Sequence, residues 1–491
     1  MLLTLFSTRH PCKDFQVKLR QVKFLFEIFN KMIKSYHTKE KSFNILPSGY
    51  GLFSGSNAFT IIVGKNGTGK SRLLRSMVLG LLSKFSSPIT LDREDKLLEL
   101  NSTRGTLDHN NLPQKIICVS TSPFDKFPIL SEQHASNPYI YLGLKGISSN
   151  NPSTSYMAKI IAELVKSIIK PKGNALEIVR VLNYLGYAGK IECTFSTYIA
   201  SKTRKTIKDI KDSGNFSIKD GIGIKDNTPF NSLILINDYI FPNAANNDDK
   251  EISLNYLTKL SENKTKPRID LTIDEFGVTF KGDASTREAL ALIATGHAKL
   301  RSVKLEKIDT GKLNITDASS GEQSVVMSML GIASQIENNS LICIDEPEIC
   351  LHPEWQERYI HLLLETFEKY RGCQFIIATH SPQLIAELSQ ANCFVMSMED
   401  GKANKALDFS NRSIDFQLAN VFKTPGRRNE YLNRIAVNLF IRISKNKNFD
   451  IEDENEMRIL NEVFGKINSD DPLKELISAL QLIWRKYGRN Q

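Results

Sequence analysis

No C-x-x-C pair occurs among the seven cysteines of this 491-residue chain, so the sequence encodes neither a zinc ribbon nor a dithiol redox motif. The cysteines are scattered, several in apolar strands such as those around Cys118 and Cys343. That usage fits reduced core thiols and a cytoplasmic setting. Cys343, Cys350 and His352 are close in sequence, but their spacing matches no zinc pattern. Long hydrophobic runs are also missing: none approaches the roughly 18 residues that cross a bilayer, so no membrane contact is expected. Met1–Phe6 is apolar but too short for a secretory signal core, and Pro11 and charges follow it. Sustained heptads are absent, which argues against a long coiled-coil arm.

What is present is an ordinary globular composition, 41% hydrophobic and 24% charged, in a chain long enough for two or three domains. The net charge is +10 and uneven, with nine Lys and Arg against three Asp and Glu in Met1–Tyr50. A basic balance favours polyanions, so DNA or structured RNA is an expected contact.

Gly64–Ser71 read GKNGTGKS, a full G-x-x-x-x-G-K-[ST] match. Four specified positions arise by chance about one time in fifty in a chain of this length, so context decides. Thr60–Val63 is a β-branched apolar run that suits a buried strand, and Ser71–Leu82 has helical apolar spacing. Strand, glycine-rich loop and helix place backbone N–H groups around phosphates. Gly64, Asn66, Gly67 and Gly69 shape that cradle. Lys70 is the expected ligand of the β- and γ-phosphates, and Ser71 of Mg²⁺.

A second apolar strand, Leu341–Ile344, ends in Asp345-Glu346-Pro347-Glu348. A carboxylate at a strand end beside a P-loop can hold the Mg²⁺ shell, which is the role expected of Asp345. Its neighbour Glu346 can orient or deprotonate the attacking water. A third strand, Gln374–Thr379, closes on His380, which can bond a γ-phosphate. Ser319–Gln323 read SSGEQ before the apolar helix Ser324–Ile336. A Ser-Gly turn opening a helix is an anion site through free N–H groups. It is equally an ordinary cap, with Ser320 and Gln323 spaced as a capping box.

In this order the segments resemble the ABC-type ATPases, in the soluble branch that includes the SMC, RecF and OLD families. The resemblance covers about Phe59–Leu82 and Thr316–Met398. It implies an α/β fold: a P-loop ATPase head with a mixed sheet and flanking helices. It makes Gly64–Ser71 the Walker A motif, Ser319–Gln323 the signature, Leu341–Glu346 Walker B, His380 the switch histidine and Leu351–Pro353 the D-loop position. It also implies ATP and Mg²⁺ as ligands, and homodimers or larger assemblies of dimers. Ser320 and Gly321 of one subunit would then face the γ-phosphate held by Lys70 of the other. The signature departs from LSGGQ, with Ser319 for Leu and Glu322 for the second Gly. No Q-loop glutamine follows Lys115–Val119, where Ser122 and Asp125 stand instead. Tyr50 or Phe53 is a candidate adenine stacker or a packing aromatic. SSGEQ, ATHSP and the Ser-Pro-Phe-Asp segment are most similar to ATPases of Septu-type and retron-associated antiphage systems. That likeness implies a scaffold or regulator of a separate HNH-type nuclease. The alternatives are a RecF/SMC-like DNA-repair ATPase and an OLD-type ATPase-nuclease.

The chain divides into a basic segment at 1–58, an ATPase N-lobe at 59–148, a compact α+β insertion at 149–298, an ATPase C-lobe at 299–408 and a helical tail at 409–491. Asp14–Tyr36 has amphipathic helical spacing. Ser148–Ser155 reads as a linker, and Ser201–Asp226 as an exposed Lys-rich loop. Helices are expected at Tyr156–Ile169, Ala175–Leu185, near Arg428–Ser444 and Pro472–Tyr487, with strands at Ile191–Ser196, Ser232–Ile236 and Ile269–Thr272. Arg427 and Arg428 are a phosphate contact or a solvated pair. The acidic run Asp450–Glu454 follows no apolar strand, so it is a poor nuclease metal centre.

Overall fold

The computed structural model describes residues 32–47, 50, 56–85, 105–109, 112–130, 138–145, 152–169, 175–197, 247–262, 268–309, 311–349, 351–386, 388 and 390–487. A small antiparallel sheet joins β1 (Ile33–His37), β2 (Ser42–Asn44) and β4 (Thr106–His109), with Tyr36 opposite Phe43 on one side and Leu107 on the other. The helical spacing over Asp14–Tyr36 thus fails at its end. Ile33–Tyr36 finds strand partners on both edges, one of them far downstream, and non-local pairing overrides local periodicity. Residues 14–31 of that expected helix, Phe53, Cys350, Ser201–Asp226 and Ser232–Ile236 lie outside the described residues.

The central sheet has the order β15 (Ala403–Lys405), β14 (Cys393–Ser397), β3 (Ala58–Val63), β13 (Gln374–Thr379), β12 (Leu341–Asp345), β5 (Ile116–Ser120), β6 (Tyr139–Gly143). Every pairing is parallel except that of the edge strand β15. The inner strands are apolar along their length because both faces are covered. One face carries Ile61, Val63, Val119, Ile344 and Ile377 in a shared core with α2 (Pro152–Ile169), α3 (Ala175–Tyr184), α6 (Ser320–Gln335) and α7 (Pro353–Thr366). The other carries Ile62, Cys118, Cys343 and Ile376 against α1 (Lys70–Leu82). The period-two alternation of parallel strands therefore puts the P-loop helix and the signature helix on opposite sides of one sheet.

The inserted lobe is a five-stranded antiparallel sheet, ordered β11 (Gly311–Asn314), β10 (Ala298–Lys307), β7 (Tyr187–Thr197), β8 (Arg268–Asp274), β9 (Gly277–Gly282). Its buried face includes Tyr187, Ile191, Phe195, Leu271 and Val303. Helices α2, α3, α4 (Asn247–Glu262) and α5 (Thr286–Ala294) belong to this part of the chain. β10 starts at residue 298 and, with β11, carries the lobe's sheet to Asn314, just before the signature. The expected linker is half helix, since α2 already begins at Pro152.

Beyond α8 (Gln383–Ala386), the C-terminal part packs α9 (Ile414–Asn420), α10 (Glu430–Asn446), α11 (Ile451–Phe464) and α12 (Pro472–Tyr487) around its own core of Leu432, Leu439, Leu460 and Ile477. Helix α11 is not in the sequence reading. Asp450 is its N-cap, in a reciprocal capping box with Asp453, so the acidic run is a helix start. Asp453 also takes Arg442 Nε at 2.8 Å. Arg427 pairs with Asp470 at 2.9 Å on the surface.

Candidate active site

The parallel register aligns the C-terminal ends of β3, β13, β12 and β5, with Val63 opposite Thr379, Ala378 opposite Asp345 and Asp345 opposite Ser120. Ligands of open α/β sheets collect at that edge. The histidine strand β13 lies between the P-loop strand β3 and the acidic strand β12. His380 is therefore placed between Lys70 and the carboxylates.

The P-loop leaves β3 at Gly64, where an added Cβ would stand 2.9 Å from Thr68 Oγ1 and 3.0 Å from Met398 Cβ. Gly69, at φ 93°, is the N-cap of α1 and offers no side-chain cap, and the first turn holds no acidic residue. The helix start is thus left open to an anion. Asn66 and Gly67 are exposed at the loop tip. Lys70 is buried, and its Nζ donates to Gly64 O at 2.8 Å and Lys65 O at 3.2 Å. Its third partner is His380 Nδ1, at 2.9 Å.

That last contact fixes a tautomer. An ammonium can only donate, so Nδ1 accepts and the ring proton sits on Nε2. Nε2 in turn lies 2.9 Å from Glu346 Oε1, to which it donates. Lys70, His380 and Glu346 form one directed chain. Glu346 is held in the left-handed region, at φ 50°, with its N–H on Ala378 O at 2.9 Å. A non-glycine residue seldom adopts that conformation, which costs about 1–2 kcal/mol. Here it accompanies the reach of the carboxylate across to the histidine.

Glu348 is the residue the sequence reading passed over. Its Oε1 accepts the backbone N–H of His380, anchoring the strand end that carries the imidazole. Burial raises its carboxyl above the usual range. The signal was the second Glu of DEPE, hidden because a carboxylate after a proline turn is usually solvent-facing. Sequence spacing gave no reason to place it under β13.

Asp345 is 2% exposed, and burial pushes its carboxyl up to about 7, against the hydrogen bond from Ser71. Ser71 Oγ stands 3.0 Å from Asp345 Oδ1. Two neighbouring oxygens of a Mg²⁺ octahedron, with bonds of about 2.1 Å, are about 3.0 Å apart, so this pair fits the ion. Bound there, Mg²⁺ would draw charge from phosphate oxygens. No group of three His, Cys, Asp or Glu able to hold a metal occurs among the described residues. Cys343 is fully buried and His352 is exposed.

Burial lowers Lys70 to about 8, opposed by Glu346, Glu348 and Asp345. The signs of the two shifts predict a bell. Asp345 must be ionised to hold the metal, so activity falls as pH drops through about 7. Lys70 must be protonated to hold phosphate, so activity falls as pH rises through about 8. For kcat/KM, which reports the free enzyme, we expect a narrow optimum between these limbs. The kcat profile should be broader, because bound metal and phosphate push the two limbs apart. Matched steady-state profiles between pH 5.5 and pH 9.5, roughly bracketing both limbs, check this.

The signature opens α6, but its cap differs from the expected one. Ser319 is the N-cap, accepting from Glu322 N at 3.2 Å, so the capping register lies one residue earlier than the Ser320–Gln323 box. Helix geometry leaves the N–H groups of Ser320 and Gly321 without intrahelical acceptors. The structure does not bring them to Gly64–Ser71 through any described hydrogen bond. Ser122 and Asp125, at the Q-loop position, are already engaged: Ser122 Oγ accepts from Phe124 N at 3.2 Å, Asp125 Oδ1 from Phe127 N at 2.9 Å and Asp125 Oδ2 from the Tyr141 hydroxyl of β6. Tyr50 packs edge-on against Phe394, with ring centroids 4.6 Å apart, the packing alternative.

Comparisons with known proteins bear on this geometry. The family model described as "AAA domain, putative AbiEii toxin, Type IV TA system" matches residues 204–386, a stretch with the signature, Asp345–Glu348 and His380 but without the P-loop. The retron Ec83 probable ATPase of Escherichia coli is 23% identical over 390 residues, 72% of this chain and 69% of that protein. Protein ea59 of Escherichia phage lambda is 21% identical over 333 residues, 67% of this chain and 46% of that one. The retron Vc95 probable ATPase of Vibrio cholerae serotype O1 biovar El Tor is 25% identical over 169 residues, 32% and 28% of the two chains. Among solved structures, Stu0660 of Streptococcus thermophilus aligns with 91% of this chain and 99% of that one, at 12% identity and a TM-score of 0.31.

Proposed function

We propose that this P-loop ATPase of the ABC type is the regulatory subunit of a bacterial antiviral defence complex, in which it controls a separate HNH-type nuclease. ATP hydrolysis is the chemistry of the chain itself. Ser320 and Gly321 complete the site of a second copy, so the working unit is a head-to-tail homodimer with two Mg·ATP at the interface. Nucleic acid, attracted by the basic balance, is the expected trigger or target.

The observation that carries this reading is the pairing of a fully connected hydrolysis chain, Lys70–His380–Glu346, with an acidic run that serves as a helix cap. Hydrolysis has its parts, while the best candidate for a nuclease centre is engaged elsewhere. Similarity to two retron probable ATPases supports the defence setting.

Purified protein with Mg²⁺ or Mn²⁺ is expected to leave plasmid DNA intact. Cleavage should appear only when the HNH nuclease encoded beside its gene is added, and should respond to ATP. Two results would overturn the proposal. One is cutting by the ATPase alone that disappears on changing Asp450 or Glu452. The other is a neighbouring nuclease that neither co-purifies with the ATPase nor changes its activity in its presence.

A further inference from the structure

Ser319–Gln323 divides into an exposed start and a half turned toward the inserted lobe. Ser319 and Ser320 are exposed at the start of α6, and Gly321 behind them is buried. Glu322 and Gln323 turn toward the inserted lobe. Glu322 is buried, and its Oε1 accepts from the Tyr187 hydroxyl on β7. Lys307 Nζ, on β10, stands 2.6 Å from the same oxygen and 5.9 Å from the centre of the Tyr187 ring. Gln323 donates to Ala318 O at 2.8 Å and Thr316 O at 3.2 Å, and accepts from Ser153 of α2 at 3.2 Å.

Capping does not require this arrangement, because Ser319 already caps the helix. A carboxylate in the first turn is favourable beside the helix dipole without any partner. Here it is instead held by a buried phenol and an ammonium from two different strands. Burial opposes the Glu322 charge, but Lys307 and Tyr187 hold its carboxyl below the usual range. Burial also raises the Tyr187 phenol, which stays a neutral donor. Strands β7 and β10 are neighbours in the lobe's sheet, with Tyr187 opposite Lys307 in register. Both grips on the signature helix therefore come from one rung of that sheet.

We propose that Glu322 is a positioning residue through which the inserted lobe, by way of Tyr187 and Lys307, sets the placement of Ser320 and Gly321 for ATP hydrolysis. The proposal rests on the reading that these two residues act at a second subunit's P-loop. It also accounts for the departure of this signature from LSGGQ, since a glycine at 322 would leave the lobe no handle. The lobe then becomes an input to turnover: what shifts this rung shifts the start of α6.

The test uses the full chain with Tyr187→Phe, Lys307→Met, both together, and Glu322→Gln. Affinity is read with a fluorescent ATP analogue, alongside kcat, KM and the thermal midpoint. The P-loop is untouched, so affinity should stay within about twofold. Each single variant should lower kcat about tenfold, the scale of one charge-assisted hydrogen bond. The pair should cost little more than the worse single change, because both act on one carboxylate. Glu322→Gln keeps an acceptor for Tyr187 and loses the charge facing Lys307, so it should match Lys307→Met. Lys307 is partly exposed, so its variant folds even where the buried Tyr187 change does not. A lowered midpoint with unchanged kcat would make the contact merely structural and overturn the proposal. A parallel Ser320→Arg variant separates the layers. If it loses turnover while the double variant keeps it, the proposal alone fails. If it turns over normally, the two-subunit reading fails and takes the proposal with it.

Discussion

Glu346→Gln should bind ATP with parental affinity and hydrolyse it on the order of 10²- to 10⁴-fold more slowly, the usual contribution of a positioned general base. The expectation of intact binding comes from the geometry. Glu346 accepts the Nε2 proton of His380 through Oε1, and a glutamine carbonyl can accept it equally well. The left-handed backbone at residue 346 and its bond to Ala378 ask nothing of the carboxylate charge. What the substitution removes is the basic oxygen assigned, in this proposal, to take the water's proton. Calorimetry and single-turnover hydrolysis with saturating Mg·ATP separate the two effects. If sites are completed by a second copy, this variant should also accumulate as an ATP-bound dimer on gel filtration with light scattering. Unchanged turnover would remove Glu346 from the chemistry.

Lys70→Ala should fail twice. First, ATP affinity should fall about 10- to 150-fold, the equivalent of one charge-assisted hydrogen bond at about 1.5–3 kcal/mol. Second, saturating ATP should not restore kcat. The ammonium also holds the imidazole through Nδ1. Without it Glu346 still keeps the ring proton on Nε2, but the ring is tethered on one side only and no longer held between the lysine and the carboxylate. A simple phosphate-binding role predicts rescue at high ATP, whereas the directed chain predicts none. Titrating ATP to well above the raised KM distinguishes them. Equal ATP affinity in the variant would contradict the P-loop assignment itself.

The sequence pattern was sufficient where structure is local. Strand β3, the loop and α1 could be placed because β-branched, glycine-rich and helical stretches follow one another directly. Ser71 and Asp345 could be paired in role before they were seen 3.0 Å apart. Helix α11 was missed because its acidic capping turn hides a sparse apolar stripe, Met457, Leu460 and Val463, that only the bundle core explains. Ile33–Tyr36 was misread because its partners are distant in the chain.

By itself, then, the sequence determined that this protein has a P-loop, an acidic strand end and a helix-opening Ser-Gly turn. Each is a short-range pattern whose chemistry depends on neighbours in the chain. Tertiary structure alone decided how these parts meet. Strand order put β13 between β3 and β12, and so set His380 between Lys70 and Glu346. Sheet alternation put α1 and α6 on opposite faces. Packing of the inserted lobe gave Glu322 its partners on β7 and β10, and the end of β13 drew Glu348 under the histidine. These are contacts between residues far apart in sequence, and no local propensity records them.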